Sequence, residues 1–490
     1  MASDELIDED LREDAAGASE RPDEGGKPDD RVDDERHDEE NRLKSEFVRR
    51  VVEALDAGDK GEVYDLVEPL HPADVADLFE LVGREDRPAL AEAVSDLLSS
   101  EVISELNDYV REDMIDALPA HAVAEIAEQL ETDDAVQLIE DLDPHEQAAV
   151  LAEMEPEDRA AIESALSYPE ETAGRLMQRE FVAVPEHISV GDLIDYLRDE
   201  AGDPDALPTD FWEVFVVDLA HKPVGTCQLS WVLRTPRHIR LSDVMKRDQT
   251  LIPVTMDQEE VALMFQKYAL ISAAVVDEAG RLVGQMTVDD VVHIISEEAG
   301  EDALLLSGAG DGDINEPIAL TVRARLSWLV INLGTAILAS MVVGLFQGAI
   351  AKFALLAVLM PIVSGMGGNA GTQTLAVTVR ALATNQLTSA NTWRAIGREL
   401  TIACANGIAL GTLIGGGTFL LFHNPLLGAV IGSAMVINNL TAGIAGIVVP
   451  VTLERLRVDP AVSSAVFVTT ATDVMGFFSF LGLAVLVGLA

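Results

Sequence analysis

From Leu326 to the C-terminus the chain is a succession of apolar stretches separated by short polar turns, and this pattern limits the fold more than any other feature. The stretches fall at about 326–346, 353–379, 400–422, 426–453 and 461–490. Each supplies the roughly 20 apolar residues that a helix needs to cross a hydrocarbon core about 30 Å thick. Because backbone polar groups must be satisfied inside that core, five spanning helices are predicted.

Asp473 is the only charge between Asp459 and the C-terminus. At about 1.5 Å per helical residue it lies roughly 21 Å beyond Asp459 and about 25 Å before the chain end, near the middle of a bilayer. An ionised Asp there costs at least about 2.5 kcal/mol, so such residues face a wet cavity, a cation or a partner. A protonated Asp bonded to a neighbouring helix is the bland alternative; Thr469, Thr470 and Thr472 favour a polar lining.

Charge divides the chain into two chemical worlds. Residues 326–490 hold four acids against six bases, so the net charge of −52 belongs entirely to the first 325 residues. Acidity this extreme suggests adaptation to molar salt inside the cell, and the absence of a basic stripe argues against nucleic-acid binding. Cys227 and Cys404 are far apart, which supports neither a disulfide framework nor a cysteine metal site. The first residues include no apolar run of signal-peptide type. No Gly-x-x-x-x-Gly-Lys-Ser/Thr motif of a nucleotide-driven motor occurs, and no enzymatic activity is expected.

Arg323, Arg325, Arg380, Arg394, Arg398, Arg455 and Arg457 fall at span ends on the side of the acidic half, against Lys352 alone on the other. The positive-inside rule then places residues 1–325 in the cytoplasm and the C-terminus outside a cell membrane crossed five times.

Residues 171–299 contain an internal duplication. Met177 and Pro185 match Met245 and Pro253, whereas Val216, Asp218 and Gly225 match Val275, Asp277 and Gly284 at a shorter offset, so the first copy holds extra residues near 203–209. Each copy reads as an extended segment, an amphipathic helix, two short strands around a turn, and a helix. This resembles a tandem pair of cystathionine-β-synthase (CBS) domains. Gly284, Thr287 and Asp290 have the Gly-x-x-Thr-x-x-Asp spacing with which CBS domains hold an adenine nucleotide, and the resemblance implies ATP or a related ligand at Thr287 and Asp290. An ordinary helix cap is the alternative for these residues. The first copy has Gln228 and Trp231 at the matching positions.

Residues 1–45 are acidic and poor in aromatics, which predicts a disordered tail. Residues 46–170 show repeated helix starts at Pro72, Pro119, Pro144 and Pro156, with acids following in the first turn. Short stacked helices forming a small superhelix are predicted. The fold class is therefore multi-domain: a helical superhelical N-terminal domain, an α/β CBS pair, a connecting helix and linker at 300–325, and a five-span helical domain at 326–490.

The second span carries Pro361, Gly365, Gly367, Gly368, Asn369, Gly371 and Gln373. Such a run predicts a helix break beside a water-filled cavity; close helix packing on glycine is the alternative. The Gly-Gly-Asn-x-Gly-x-Gln run, the Thr-x-Thr-Asp473 span, the CBS pair and the acidic helical N-terminal region, in that order, resemble the MgtE family of magnesium channels over residues 46–490. The resemblance implies a homodimer with a central pore. It makes Asp473 the ion-selecting carboxylate, with Gly367, Gly368 and Asn369 lining the same cavity.

Glu297 with Glu301, and Glu298 with Asp302, are like-charged i,i+4 pairs that repel unless a cation sits between them. Composition alone reads them as a solvated face. The family resemblance makes Glu298, Glu301 and Asp302 ligands of regulatory Mg2+ on a plug helix, joined by Asp459. It marks Asp257, Glu259 and Asp290 in the second CBS copy, and Asp133 and Glu101 in the N-terminal region, as further regulatory sites. Gln137, Ala269 and His293 depart from the family pattern: they stand where related proteins tend to have acids.

The function these features imply is a Mg2+-selective channel closed by cytosolic Mg2+. A broader divalent cation transporter or exporter is a second transport reading. A membrane-anchored CBS nucleotide sensor is a third, but it gives no reason for a carboxylate in mid-span.

Overall fold

A computed structural model describes residues 36–489 except 39, 116, 117, 201–206, 209, 210, 308–314, 462 and 463. The acidic segment 1–35, most of the 203–209 insertion and part of the 300–325 linker lie outside the described residues. Of the expected 1–45 tail, residues 36–38 and 40–45 are described: Asp38 accepts from the Glu40 and Arg42 amides, each at 2.9 Å, and His37 bridges to Leu43. The chain divides into two compact units, one of residues up to 130 with 137–155, the other of 131–136 with 156 onward.

The first unit is built of short helices whose starts obey the proline and acid signals. Pro72 and Pro144 sit in the first turns of helices Pro72–Leu81 and Pro144–Glu153, followed by Asp74 and Glu146. Two buried arginines stitch successive helices. Arg87 donates to the Phe79 carbonyl at 3.0 Å and to Asp113 at 3.1 Å; Arg111 donates to the Leu106 carbonyl at 3.2 Å and to Asp141 at 2.6 Å. Each pair satisfies a helix-end carbonyl and a carboxylate together, which is the condition under which a buried charge is tolerated.

In the second unit the duplication is visible as two identical small sheets. Strand β1 (Ala183–Pro185) runs parallel to β2 (Glu213–Val217), which pairs antiparallel with β3 (Pro223–Gln228); β4 (Leu251–Pro253), β5 (Ser272–Val276) and β6 (Leu282–Thr287) repeat the order. Even the register irregularity recurs, at Val216/Val217 and Val275/Val276. The copies exchange their leading segments. Lys246 bridges to Thr226 of the first copy, and Gln178 bridges to Gln285 of the second.

The exchange explains the matched glycines. A Cβ at Gly225 would lie 2.8 Å from the Met245 sulfur, and one at Gly284 would lie 2.7 Å from both the Met177 sulfur and the Gln178 carbonyl oxygen. The methionine of each copy thus fills the space that the glycine of the other leaves open.

A single helix, Val288–Ser307, leaves the second sheet and carries Glu297, Glu298, Glu301 and Asp302 on consecutive turns. Its last turn reaches the membrane half, where Leu305 and Leu306 pack with Leu375, Val379, Ala461 and Val468.

Five helices have the length and apolar composition to cross a membrane: Ile318–Leu345, Leu355–Ala383, Thr392–Phe422, Pro425–Arg455 and Ser464–Leu486. The fourth is the most enclosed, and the first packs least, with Ala339 its one fully buried residue. The glycine run does not break the second helix, which is continuous from Leu355 through Pro361 to Ala383. Close packing accounts for part of the run: Gly367 and Gly371 are buried against other helices, whereas Gly365 and Gly368 face open space.

The swapped methionines carry a direct expectation. Gly225→Ala and Gly284→Ala should each lower the unfolding midpoint by about 3–10 °C through overpacking. Gly300→Ala, in mid-helix with open space around it, should raise or leave it unchanged. Differential scanning fluorimetry of the three variants tests this; an unaltered midpoint for Gly284→Ala would contradict the close approach.

Candidate pore and metal centre

Asp473 lies on the fifth spanning helix, half-buried, and its Oδ1 accepts a hydrogen bond from the Ser364 hydroxyl on the second. Ser364 immediately precedes the glycine-rich stretch, so the bond fixes the carboxylate to the segment that carries Gly368 and Asn369. Asn369 is exposed and Gly368 half-buried, on the side left open by the packing. Gly367 points the other way. It is buried against Asn438 of the fourth helix, which corrects its expected place beside Asn369 in a cavity lining.

The threonines before Asp473 do not all point to it. Thr469, Thr470 and Thr472 donate to carbonyls of their own helix, at Ala465, Val466 and Thr469. Such back-bonding satisfies a hydroxyl inside an apolar span; Thr469 and Thr470 are half-buried.

Outside the spans, two groups of carboxylates assemble within the second unit. In the first, helix Thr132–Glu140 starts on Glu180, which accepts from the Thr132 amide at 3.2 Å and its hydroxyl at 2.7 Å. That clamp presents Glu131, Asp133 and Asp134 to Asp290. Asp290 Oδ2 is held by the Thr287 hydroxyl at 2.6 Å and the Gln178 amide at 2.9 Å. Asp133 Oδ1 is closed off from solvent and has no hydrogen-bond partner.

Burial first, then the carboxylates of Asp290, Asp134 and Glu131, push the Asp133 carboxyl well above its ordinary range. Burial and neighbouring acids push Glu131 up to about 7. Asp290 rises to about 6, with burial the largest cause and the Thr287 hydrogen bond opposing it. The set is entirely oxygen, repulsive and short of hydrogen bonds, a chemistry that a hard divalent cation relieves.

The second group surrounds the long helix. Asp257 caps helix Gln258–Tyr268 by accepting from the Glu259 amide at 3.0 Å, and Gln258 donates to Glu298. Loss of hydration, then the charge of Glu298, pushes Glu259 up to about 7, although the edge of its side chain reaches water. Glu301 is raised by desolvation, then by Glu298, Glu171 and Asp459; Asp302 is raised by desolvation, then by Asp459 and Glu298. The structure therefore brings Asp257, Glu259, Glu298, Glu301, Asp302 and Asp459 into one field of like charge. Asp459 also accepts from the Ala461 amide at 2.8 Å, in the turn ahead of the fifth span.

Among the described residues no three His, Cys, Asp or Glu side chains are grouped so as to hold a metal ion directly. Mg2+ dehydrates reluctantly and is commonly bound through one or two carboxylates and retained waters, so loosely spaced pairs suit it better than a closed cage. Glu101 is exposed in the first turn of helix Ser100–Ser104, in the first unit. Sequence reasoning missed Glu131, Asp134, Glu171 and Glu180. Glu131 and Asp134 lie in an acidic run that no motif sets apart in the sequence, and Glu171, with a left-handed φ of 58°, has no local sequence signal either.

Comparison with known proteins identifies the chain's relatives. The family profile described as a divalent cation transporter, MgtE, matches residues 360–483; the MgtE intracellular N domain matches 70–171 and the CBS domain 241–297. The magnesium transporter MgtE of Thermus thermophilus is 33% identical over 326 residues, covering 66% of this chain and 71% of that protein. The magnesium transporter MgtE of Bacillus subtilis is 29% identical over 320 residues, covering 65% of this chain and 70% of its own. Among solved structures, the cytosolic domain of the Mg2+ channel MgtE in complex with ATP is 30% identical, covers 50% of this chain and 99% of that one, and has a TM-score of 0.46. The chain belongs to the MgtE family.

Proposed function

We propose that this protein is a Mg2+ channel of the cell membrane in which Asp473 selects the ion and acidic sites on the cytosolic side close the pore. The observation that carries this reading is the hydrogen-bonded carboxylate of Asp473 at mid-span, bound to the Asn369-bearing helix through Ser364. One such carboxylate from each of two subunits suits a largely hydrated Mg2+. A homodimer also gives the poorly packed first span a protein neighbour. Arginine placement, together with Trp393 at 83% exposure at the start of the third span, supports a cytoplasmic acidic half and an external C-terminus.

The gate rests on helix Val288–Ser307. Its carboxylates at 298, 301 and 302 face those of Asp257, Glu259 and Asp459, while its final leucines touch the second and fifth spans. Uncompensated, these acids push the helix away from the CBS copy and from the mouth of the fifth span. Mg2+ bound by them, and by Asp133 with Asp290, would offset that repulsion. Thr287 and Asp290, expected at a nucleotide, bond each other; ATP binding at the CBS pair remains a proposal resting on their motif. A broader divalent range is the second reading, favoured by the description of the matching family as divalent cation transporters.

Three expectations follow from the site. Asp473→Ala should abolish Mg2+ flux in proteoliposomes while the purified protein stays monodisperse, and near-normal flux would remove Asp473 from the pore. Glu298→Gln with Glu301→Gln should raise the Mg2+ concentration for half-closure about fivefold or more at high KCl. Neutralising two acids among residues 1–35 should leave it unchanged, because molar salt shortens the screening length to about 3 Å; equal effects would make bulk charge the sensor.

The third concerns pH. Carboxyls raised to about 6 at Asp290 and about 7 at Glu131 and Glu259 favour the folded state below their unfolded values near 4. That stability is lost as pH rises through about 6 to 7. The rise in unfolding midpoint caused by Mg2+ should therefore be larger at pH 8 than at pH 5.5, where protons already neutralise the sites. An equal or larger rise at pH 5.5 would contradict these carboxylates as the binding groups.

A further inference from the structure

Asn438 lies in the middle of the fourth spanning helix with 0% of its surface exposed. A carboxamide in that position is unfavourable unless both of its ends are bonded, and here one end is not: Nδ2 donates to the Val363 carbonyl at 2.8 Å, whereas Oδ1 has no partner. The adjacent Asn439 is also buried, but its Nδ2 bonds back to Met435 within its own helix. Among the described residues, the side-chain hydrogen bonds that join different spanning helices are those of Asn438 with Val363 and of Ser364 with Asp473.

These two bonds lie on neighbouring residues of the same helix. Val363 is held by the fourth helix, and Ser364 holds Asp473 of the fifth. The room for Asn438 comes from two missing side chains. A Cβ at Gly367 would lie 2.0 Å from Nδ2, and one at Gly476 would lie 2.8 Å from it. Gly367 is one turn after Val363, and Gly476 is three residues after Asp473, so the second and fifth helices close around the Asn438 carboxamide on the turns that carry Ser364 and Asp473.

We propose that Asn438 is a positioning residue of the pore: it pins the Val363–Gly367 turn at a fixed separation from Gly476 and so sets where Ser364 places the Asp473 carboxylate. An apolar residue of similar size would fill the notch but would release Val363 from the fourth helix. The consequence would appear in ion discrimination, because the geometry of oxygen ligands and the width around them decide which hydrated ion passes. The proposal rests on Asp473 being the pore carboxylate.

The test measures flux of Mg2+ and of Mn2+ through full-length protein in liposomes, together with the unfolding midpoint, for four variants. Asn438→Leu should lower Mg2+ flux about tenfold or change the Mg2+ to Mn2+ ratio by about threefold or more, at an unchanged or higher midpoint. Gly476→Ala, which drives a methyl into the carboxamide, should lose flux, and adding Asn438→Ala to it should not restore native flux, because the clash is relieved but the bond to Val363 is gone. Asp473→Ala separates the two claims. If it conducts normally, both fail; if it is silent while Asn438→Leu behaves as the native protein, only the positioning role fails. A flux loss in Asn438→Leu that merely tracks loss of folded protein, with the ratio unchanged, also overturns the role. Should Asn438→Leu not fold, the Gly476→Ala pair decides, and a folded double variant with native flux and a native Mg2+ to Mn2+ ratio contradicts the proposal, because the bond to Val363 would then be dispensable.

Discussion

The hydrogen bond from Ser364 to Asp473 joins the one acidic side chain of the last span to the glycine-rich face of the second. A carboxylate at that depth is tolerable only where water, a cation or a donor compensates it, and much of the membrane half is arranged to meet that condition. Gly367 and Gly371 let the second helix approach the fourth and fifth closely enough for a short hydroxyl to reach the acid. The side carrying Gly365, Gly368 and Asn369 is left open.

In the acidic half the physics is inverted. There the carboxylates are numerous, and what they lack is compensation: Asp133 has a buried oxygen without a partner, and Glu259, Glu301 and Asp302 are raised by loss of hydration and by neighbouring carboxylates, Glu298 common to all three. A structure that concentrates like charge on a helix ending against the pore helices stores repulsion where movement matters. The Leu305 and Leu306 contacts with Leu375, Val379, Ala461 and Val468 supply the mechanical link. The swapped strands of the CBS pair, locked by Met177 on Gly284 and Met245 on Gly225, give that helix a firm base.

The five spans and the duplication were legible because apolar length and matched spacing are properties of the chain itself. Span ends were less so. The first helix starts at Ile318 and the third at Thr392, earlier than their apolar stretches, because Arg323, Arg325, Arg394 and Arg398 occupy terminal turns from which long side chains reach the interface. Asp473 was conspicuous as a lone charge, whereas Asn438 was one amide in a helix that is apolar all round, and nothing in such a pattern says which face meets which neighbour. The same ambiguity made the glycine run read as a break and placed Gly367 on the open side. The approach of Asp133 to Asp290 joins residues far apart in the chain; family resemblance marked each of them, and nothing in the sequence paired them.

The account stands or falls on the sidedness of closure. Mg2+ flux through the purified protein in liposomes of defined orientation, at molar KCl, should fall steeply as Mg2+ is raised on the side of the acidic half, and should only saturate as Mg2+ is raised on the other. Flux that is insensitive to Mg2+ on the acidic side, or closed equally from both sides, would contradict it.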